Sequence, residues 1–158
     1  MKSVLLALSI LAVLTRCAKE ELTSAGQSSL SQEVEIALNE TLDLPESAKG
    51  NDTPKVRVHL AEINDSRCPM NVNCIRYGSA VVRLWLEIDK DKSPIAALVI
   101  GEALPSDTRK LRNRTADTTL VTVANTQYQI ILKNVSPYPC SGCPDQEPKS
   151  AQIIVTAQ

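Results

Sequence analysis

From about residue 33 onward, apolar and polar positions alternate. Val34, Ile36 and Leu38 share one side of an extended chain, Val56, Val58 and Leu60 repeat the arrangement, and Ala80, Val82, Leu84, Leu86 and Ile88 make the longest run. A period of two places every second side chain on one face, which is the signature of half-buried strands. Ile95 to Ile100 is a nearly continuous apolar run, Leu120 to Val123 and Gln127 to Val135 follow, and Ile153 to Val155 closes the chain. Two short passages, from Asp89 to Pro94 and Ala124-Asn125-Thr126, carry turn chemistry between neighbouring runs and predict two hairpins. No stretch in this region has the period of an amphipathic helix. The pattern predicts an all-β domain over residues 33–158, an antiparallel β-sandwich of about seven strands and of immunoglobulin-like size. Its longer connections, 43–54, 64–78, 103–117 and 136–150, are where binding residues would be displayed.

The N-terminus follows a different pattern. Residues 1–16 carry one early lysine, then an apolar run from Val4 to Leu14 that Ser9 alone interrupts, then Thr15 and Arg16. That is the layout of an export signal, and the run is too short for a permanent membrane helix. Leu14-Thr15-Arg16-Cys17 resembles the lipobox of bacterial lipoproteins, with Arg16 where a small residue is usual. The resemblance implies cleavage before Cys17 and lipidation of Cys17, whose several acyl chains would hold the protein to a membrane. Ala18-Lys19-Glu20-Glu21 resembles the surface-export signal of Bacteroidetes lipoproteins. It implies a lipid-anchored protein of a Gram-negative outer membrane, exposed at the surface, with a periplasm-facing or secreted protein as the alternative. Residues 17–32 then read as the lipidated N-terminus and a polar, Ser-rich tether.

Composition limits the ligands. The chain has 158 residues, no Phe, and only Tyr77, Trp85, Tyr128 and Tyr138 as aromatics, so Val, Ile, Leu and Ala must fill the core and no broad aromatic platform exists. The net charge is −1, and loss of Lys2 and Arg16 with the leader makes the product more acidic. The local basic group, Arg109, Lys110, Arg112 and Arg114, lies between Asp107 and Asp117 and reads as a solvated loop. Nucleic acid is not an expected partner, because phosphate binding needs a concentrated basic face.

With Cys17 assigned to lipid, four of the five cysteines remain, an even set for an oxidising compartment. Cys68 and Cys74 enclose Pro69-Met70-Asn71-Val72-Asn73, a span that a turn at Pro69 and Asn71 can fold back to disulfide distance. Cys140-Ser141-Gly142-Cys143 lies among Pro137, Pro139, Pro144 and Pro148, with no helix after it to activate a thiolate. Structural disulfides are the expectation, paired locally within each loop. The alternatives are a redox pair at Cys140 and Cys143, or a metal site that also draws on Cys68 and Cys74.

Asp65-Ser66-Arg67-Cys68-Pro69, the second cysteine, Gly78 and the strand after it resemble a family of small, mostly uncharacterised secreted or lipidated bacterial envelope proteins. Pro137-Tyr138-Pro139 matches the same family, and the likeness spans about residues 55–140. Members often carry Trp-Ala-Gly where this chain has Arg76-Tyr77-Gly78. The resemblance implies fold and location and brings no activity with it.

Catalytic patterns are sparse. His59 is the one histidine, placed on the polar side of its strand, and neither a Gly-x-Ser-x-Gly elbow nor a Gly-rich phosphate loop occurs. No catalytic residue, metal or cofactor is assigned. Arg67, Tyr77, Trp85 and Tyr138 are the candidate binding residues; Trp85, on the face opposite Leu84 and Leu86, is expected to be partly covered by a loop. The expected function is that of an envelope lipoprotein, not an enzyme, whose disulfide-braced sandwich binds a protein or another envelope component. The alternative is a Cys-dependent protein centred on Cys140 and Cys143.

Overall fold

The computed structural model describes residues 30–45, 55–106, 113–144 and 147–158. The leader, Cys17, and the basic residues Arg109, Lys110 and Arg112 lie outside the described residues.

The domain is a sandwich of two antiparallel sheets. One contains β1 (Glu33–Ala37), β9 (Ser150–Ala157), β8 (Thr126–Ser136) and β7 (Asp117–Val123), in that order. The other runs β2 (Thr41–Pro45), β3 (Lys55–Asp65), β4 (Ser79–Ile88), with β5 (Asp91–Lys92) and β6 (Ala96–Gly101) both pairing with the far edge of β4. Among the described residues nine strands are thus present where the alternation alone indicates seven. The two additions are short: β2 buries a single side chain fully, Leu44, and β5 is a two-residue pairing inside the first predicted turn. At the other end of β1, Leu38 leaves the strand and donates its amide to the Lys149 carbonyl, at the corner where the chain crosses between sheets. Both predicted hairpins form, and Ala124 and Asn125 take positive φ angles of 48° and 61°, as a tight two-residue turn requires.

The core is the expected set of branched aliphatics. Ala80, Val82, Leu84, Leu86 and Ile88 all point inward from β4, against Ile130, Leu132, Ile153 and Val155 of the opposite sheet's strands. Tyr128 is 1% exposed, so one of the few aromatics is a core residue rather than a binding candidate.

Two irregularities change which residues face inward at one end of the sandwich. In β3 the inward positions are Val56, Val58 and Leu60 until a register shift between Leu60 and Glu62; beyond it the inward positions are Ile63 and Asp65. In β8, Tyr128, Ile130 and Leu132 point inward until a shift between Leu132 and Asn134, after which Val135 does. One extra residue in each strand reverses the alternation, which is what a β-bulge does. Both bulges precede the connections that carry the cysteines, and the β3 bulge turns a carboxylate into the protein.

Candidate functional site

The described parts of three connections gather at that end: residues 66–78 between β3 and β4, 102–106 and 113–116 between β6 and β7, and 137–144 and 147–149 between β8 and β9. The inward-turned Asp65 joins the first and the last of them. Its carboxylate receives Arg67 Nε at 2.8 Å on Oδ1 and Arg67 Nη2 at 2.8 Å on Oδ2, while Lys149 Nζ donates to Oδ2 at 2.8 Å. Arg67 Nη2 also donates to the Val135 carbonyl at 2.7 Å, Lys149 Nζ donates to the Pro137 carbonyl at 2.5 Å, and the Tyr138 ring lies 4.3 Å from the guanidinium carbon. The Asp65 and Arg67 side chains are 3% and 7% exposed. Burial pushes the Asp65 carboxyl up, but the hydrogen bonds from Arg67 and Lys149 and the charge of Arg67 together outweigh it and hold the group below the usual carboxylate range. A buried ion cluster of this kind ties the two long connections to the sheets.

The connections are also braced individually. Cys68 and Cys74 are bonded at 2.08 Å with their Cα atoms 5.9 Å apart, and Cys140 and Cys143 are bonded with a Cα separation of 5.6 Å. The pairing is local, as the spacing predicts. A turn closes inside the first ring through Val72 N to the Pro69 carbonyl, and Cys68 N reaches the Tyr77 carbonyl at 2.7 Å. The second pair is followed by a bend, and no helix lies near it among the described residues.

Glycine makes the close packing possible. Gly78 has a φ of +68°, and a Cβ there would lie 2.0 Å from the Ser66 carbonyl oxygen. Beside it, Gly101 has a φ of +95° and its Cβ would lie 2.6 Å from the Gly78 carbonyl oxygen. The close approach of these backbones positions Glu102, whose amide donates to the Gly78 carbonyl at 2.8 Å and whose Oε2 accepts from Gly78 N at 3.1 Å. Glu102 Oε1 accepts from Arg76 Nε at 2.9 Å and Nη2 at 2.6 Å, and these bonds hold the Glu102 carboxyl below its usual range.

Between the three connections lies an open groove of about 290 Å³, lined by Arg67, Tyr77, Gly78, Gly101, Glu102, Asn113 and Tyr138. Three of the four candidate binding residues therefore share one site: Arg67 in the wall, Tyr77 and Tyr138 at the margins, 77% and 41% exposed. Met70, Val72 and Ile75, on the same braced loop as Tyr77, are also exposed. Together these account for five of the seven large apolar side chains exposed among the described residues, a concentration that scattered surface apolar residues do not produce.

Trp85 is elsewhere. It lies on the outer face of the β2–β3–β4 sheet, six residues along β4 from Ser79 and so about 20 Å from the groove. It is half-buried, and among the described residues the ring stacked on it is that of His59 on the adjoining strand, at 4.8 Å and 6°. His59 is correspondingly half-buried, with Nδ1 3.1 Å from Thr41 Oγ1 and Nε2 3.1 Å from Glu87 Oε2 without the alignment of a hydrogen bond. Arg57 bridges Asp43 at 3.0 Å and Glu87 at 3.1 Å, and Arg83 faces Glu62 at 3.4 Å, so this surface is covered by cross-strand ion pairs.

Arg114, from the basic segment, also has a structural place: it ion-pairs with Asp117, whose carboxylate accepts from the amides of Val99 and Thr118. Asp65, Lys149, Glu102 and Asn113 are the site residues that the alternation does not single out. Among the described residues no group of three metal-capable His, Cys, Asp or Glu side chains occurs. Compared with known protein families, curated proteins and solved structures, the chain matches none.

Proposed function

We propose that this chain is a lipid-anchored protein of a Gram-negative outer membrane whose sandwich is a protein-binding module, with the end formed by the two disulfide loops as its contact surface. The anchor rests on the leader and Cys17, and the location on the likeness of the Lys19-Glu20-Glu21 and Asp65-to-Cys74 passages to bacterial envelope proteins. The binding role rests on one observation: Met70 and Val72, exposed inside the ring closed by Cys68 and Cys74, and Ile75 and Tyr77, exposed just after it on the same connection, form one group beside Tyr138. A crosslinked loop loses little conformational freedom when a partner orders it, so apolar side chains presented this way contribute more of their burial to affinity. Tyr and Met are also among the residue types enriched at protein interfaces. The module is read as a binder rather than a catalyst.

Photo-crosslinking residues placed at Ile75 or Tyr77 in cells, with Leu120 on the exposed face of β7 as the control position, test the reading. A discrete adduct with an envelope protein from Ile75 and Tyr77, absent from Leu120, is the expected result. Equal adducts from all positions, or none, would remove the loop end as the contact surface. Labelling of the chain with a radioactive fatty acid, lost on Cys17→Ser, tests the anchor.

A further inference from the structure

Arg67 is more than a brace. Nε and Nη2 are occupied by Asp65 and Val135, yet Nη1 has no protein acceptor among the described residues, and the side chain forms part of the groove wall. The Arg67 side chain is 7% exposed, and its guanidinium cannot swing away, since Asp65 holds two of its nitrogens and Tyr138 covers its face. Such a group is a preorganised donor, with the entropy of fixing it already lost in folding.

Among the described residues, the charges in contact with Arg67 leave an excess of one positive charge. Arg67 and Lys149 face the single carboxylate of Asp65 behind the groove wall, while Glu102, the acid that lines the groove, is matched by Arg76 and has both oxygens engaged. Asn113 adds an amide at the exposed rim and Tyr77 and Tyr138 add phenolic hydroxyls. From this groove the exposed apolar side chains Ile75, Val72 and Met70 continue along the braced loop.

We infer that the groove is a carboxylate pocket within the partner-binding surface: it takes an acidic side chain, or a chain terminus, of a partner's peptide segment whose flanking apolar residues lie against Tyr77, Tyr138 and Ile75. This rests on the loop end being the contact surface. The carboxylate would accept from Arg67 Nη1 and from Asn113, a charge-assisted contact in a partly desolvated site, with the apolar contacts supplying area. An acidic polysaccharide offers the same carboxylate but no apolar side chains for Met70, Val72 and Ile75 to meet, so a peptide accounts for more of the surface.

The test uses the full chain in detergent and fluorescence anisotropy with short synthetic peptides of alternating Leu and Glu, matched peptides with Gln or Lys in place of Glu, and oligogalacturonate. The Glu peptides should bind about tenfold or more tightly than the Gln peptides, and the Lys peptides more weakly still. Asn113→Asp, which places a carboxylate at the rim without touching the buried cluster, should erase or reverse the Glu-over-Gln preference; Ile75→Ala should weaken both peptides alike. Arg67→Met should also erase it, and Asn113→Asp decides the matter if that variant does not fold. Equal binding of Glu and Gln peptides, with both lost on Ile75→Ala, would overturn the carboxylate pocket and leave the apolar contact surface standing. Binding of oligogalacturonate alone would overturn the peptide assignment. No binding of any probe, together with no adduct from Ile75 or Tyr77 in cells, would overturn both.

Discussion

Asn71 and Ser141 hold the two disulfide loops together by a reciprocal pair of hydrogen bonds: Asn71 Nδ2 donates to the Ser141 carbonyl at 2.7 Å, and Ser141 N donates to Asn71 Oδ1 at 2.9 Å. Met70 N adds a bond to the Pro139 carbonyl at 3.0 Å in the same seam. One loop leaves the β3–β4 sheet and the other the β8–β9 sheet, so the clasp crosses the open end of the sandwich and makes one surface of two separate hairpin ends.

The two bonds separate by substitution. Asn71→Asp keeps the acceptor for Ser141 N and loses the donor; Asn71→Ala loses both. Because the pair is exposed, each bond is worth about 1 kcal/mol at most. Asn71→Ala should therefore speed hydrogen exchange at the Ser141 amide about fivefold, while Asn71→Asp leaves it near the parent rate, with little change in melting temperature for either. Identical exchange in all three proteins would mean that the clasp does not hold the second loop.

Gly78 and Gly142 provide a matched comparison. Both have positive φ, +68° and +70°, but a Cβ at Gly142 meets nothing within 4 Å whereas one at Gly78 collides with the Ser66 backbone. Gly142→Ala should cost about 1 kcal/mol, the backbone preference alone. Gly78→Ala should cost more than about 3 kcal/mol, because Ser66 cannot move without pulling on Arg67 and the disulfide ring behind it. Denaturant melts of both variants measure the difference, and equal costs would show that the approach of Gly78 to Ser66 relaxes freely.

His59 protects Trp85. Removing the stacked ring by His59→Ala should raise acrylamide quenching of Trp85 emission, while the inward face of β4 keeps the fold intact. The same tryptophan should be silent to occupation of the groove about 20 Å away. An unchanged quenching constant would place the cover of Trp85 somewhere other than His59.

The sandwich was legible because its signal is repeated: Val56-x-Val58-x-Leu60 and the five alternating residues of β4 each state a buried face several times over. The site was only partly legible, for a physical reason. The bulges after Leu60 and Leu132 break the alternation just where the binding end begins, and past a bulge a strict period of two points the wrong way. A strict period of two carried on past Leu60 would turn Asp65 outward, although it is the centre of a buried cluster, and its partner Lys149 is 84 residues away. Arg67 is visible in the sequence as part of the Asp65-to-Pro69 motif, and Tyr77 and Tyr138 as rare aromatics, but their convergence depends on backbone approaches at Gly78 and Gly101 that no local pattern encodes. Trp85 stood out for the same rarity and lies on another surface.

Asp65 also sets a pH dependence. Its folded carboxyl is held below its ordinary value of about 3.9, so the group favours the folded state when it is ionised in both states, above about pH 4. As pH falls through the lowered folded value the carboxyl protonates, the attraction to Arg67 and Lys149 is lost, and that part of the stability disappears. Asp65→Asn removes the charge at every pH and leaves two buried or half-buried cations facing a neutral amide. It should cost about 3–5 kcal/mol near neutrality, the usual result of removing one member of a buried ion cluster. The difference between parent and variant, followed by urea melts, should stay constant from neutrality down to about pH 5 and then shrink as the medium becomes more acidic. Parallel stability curves through the acid range would mean that Asp65 contributes by shape and hydrogen bonding alone. A difference that widened on acidification would mean that its carboxyl is raised on folding, with burial outweighing the two cations.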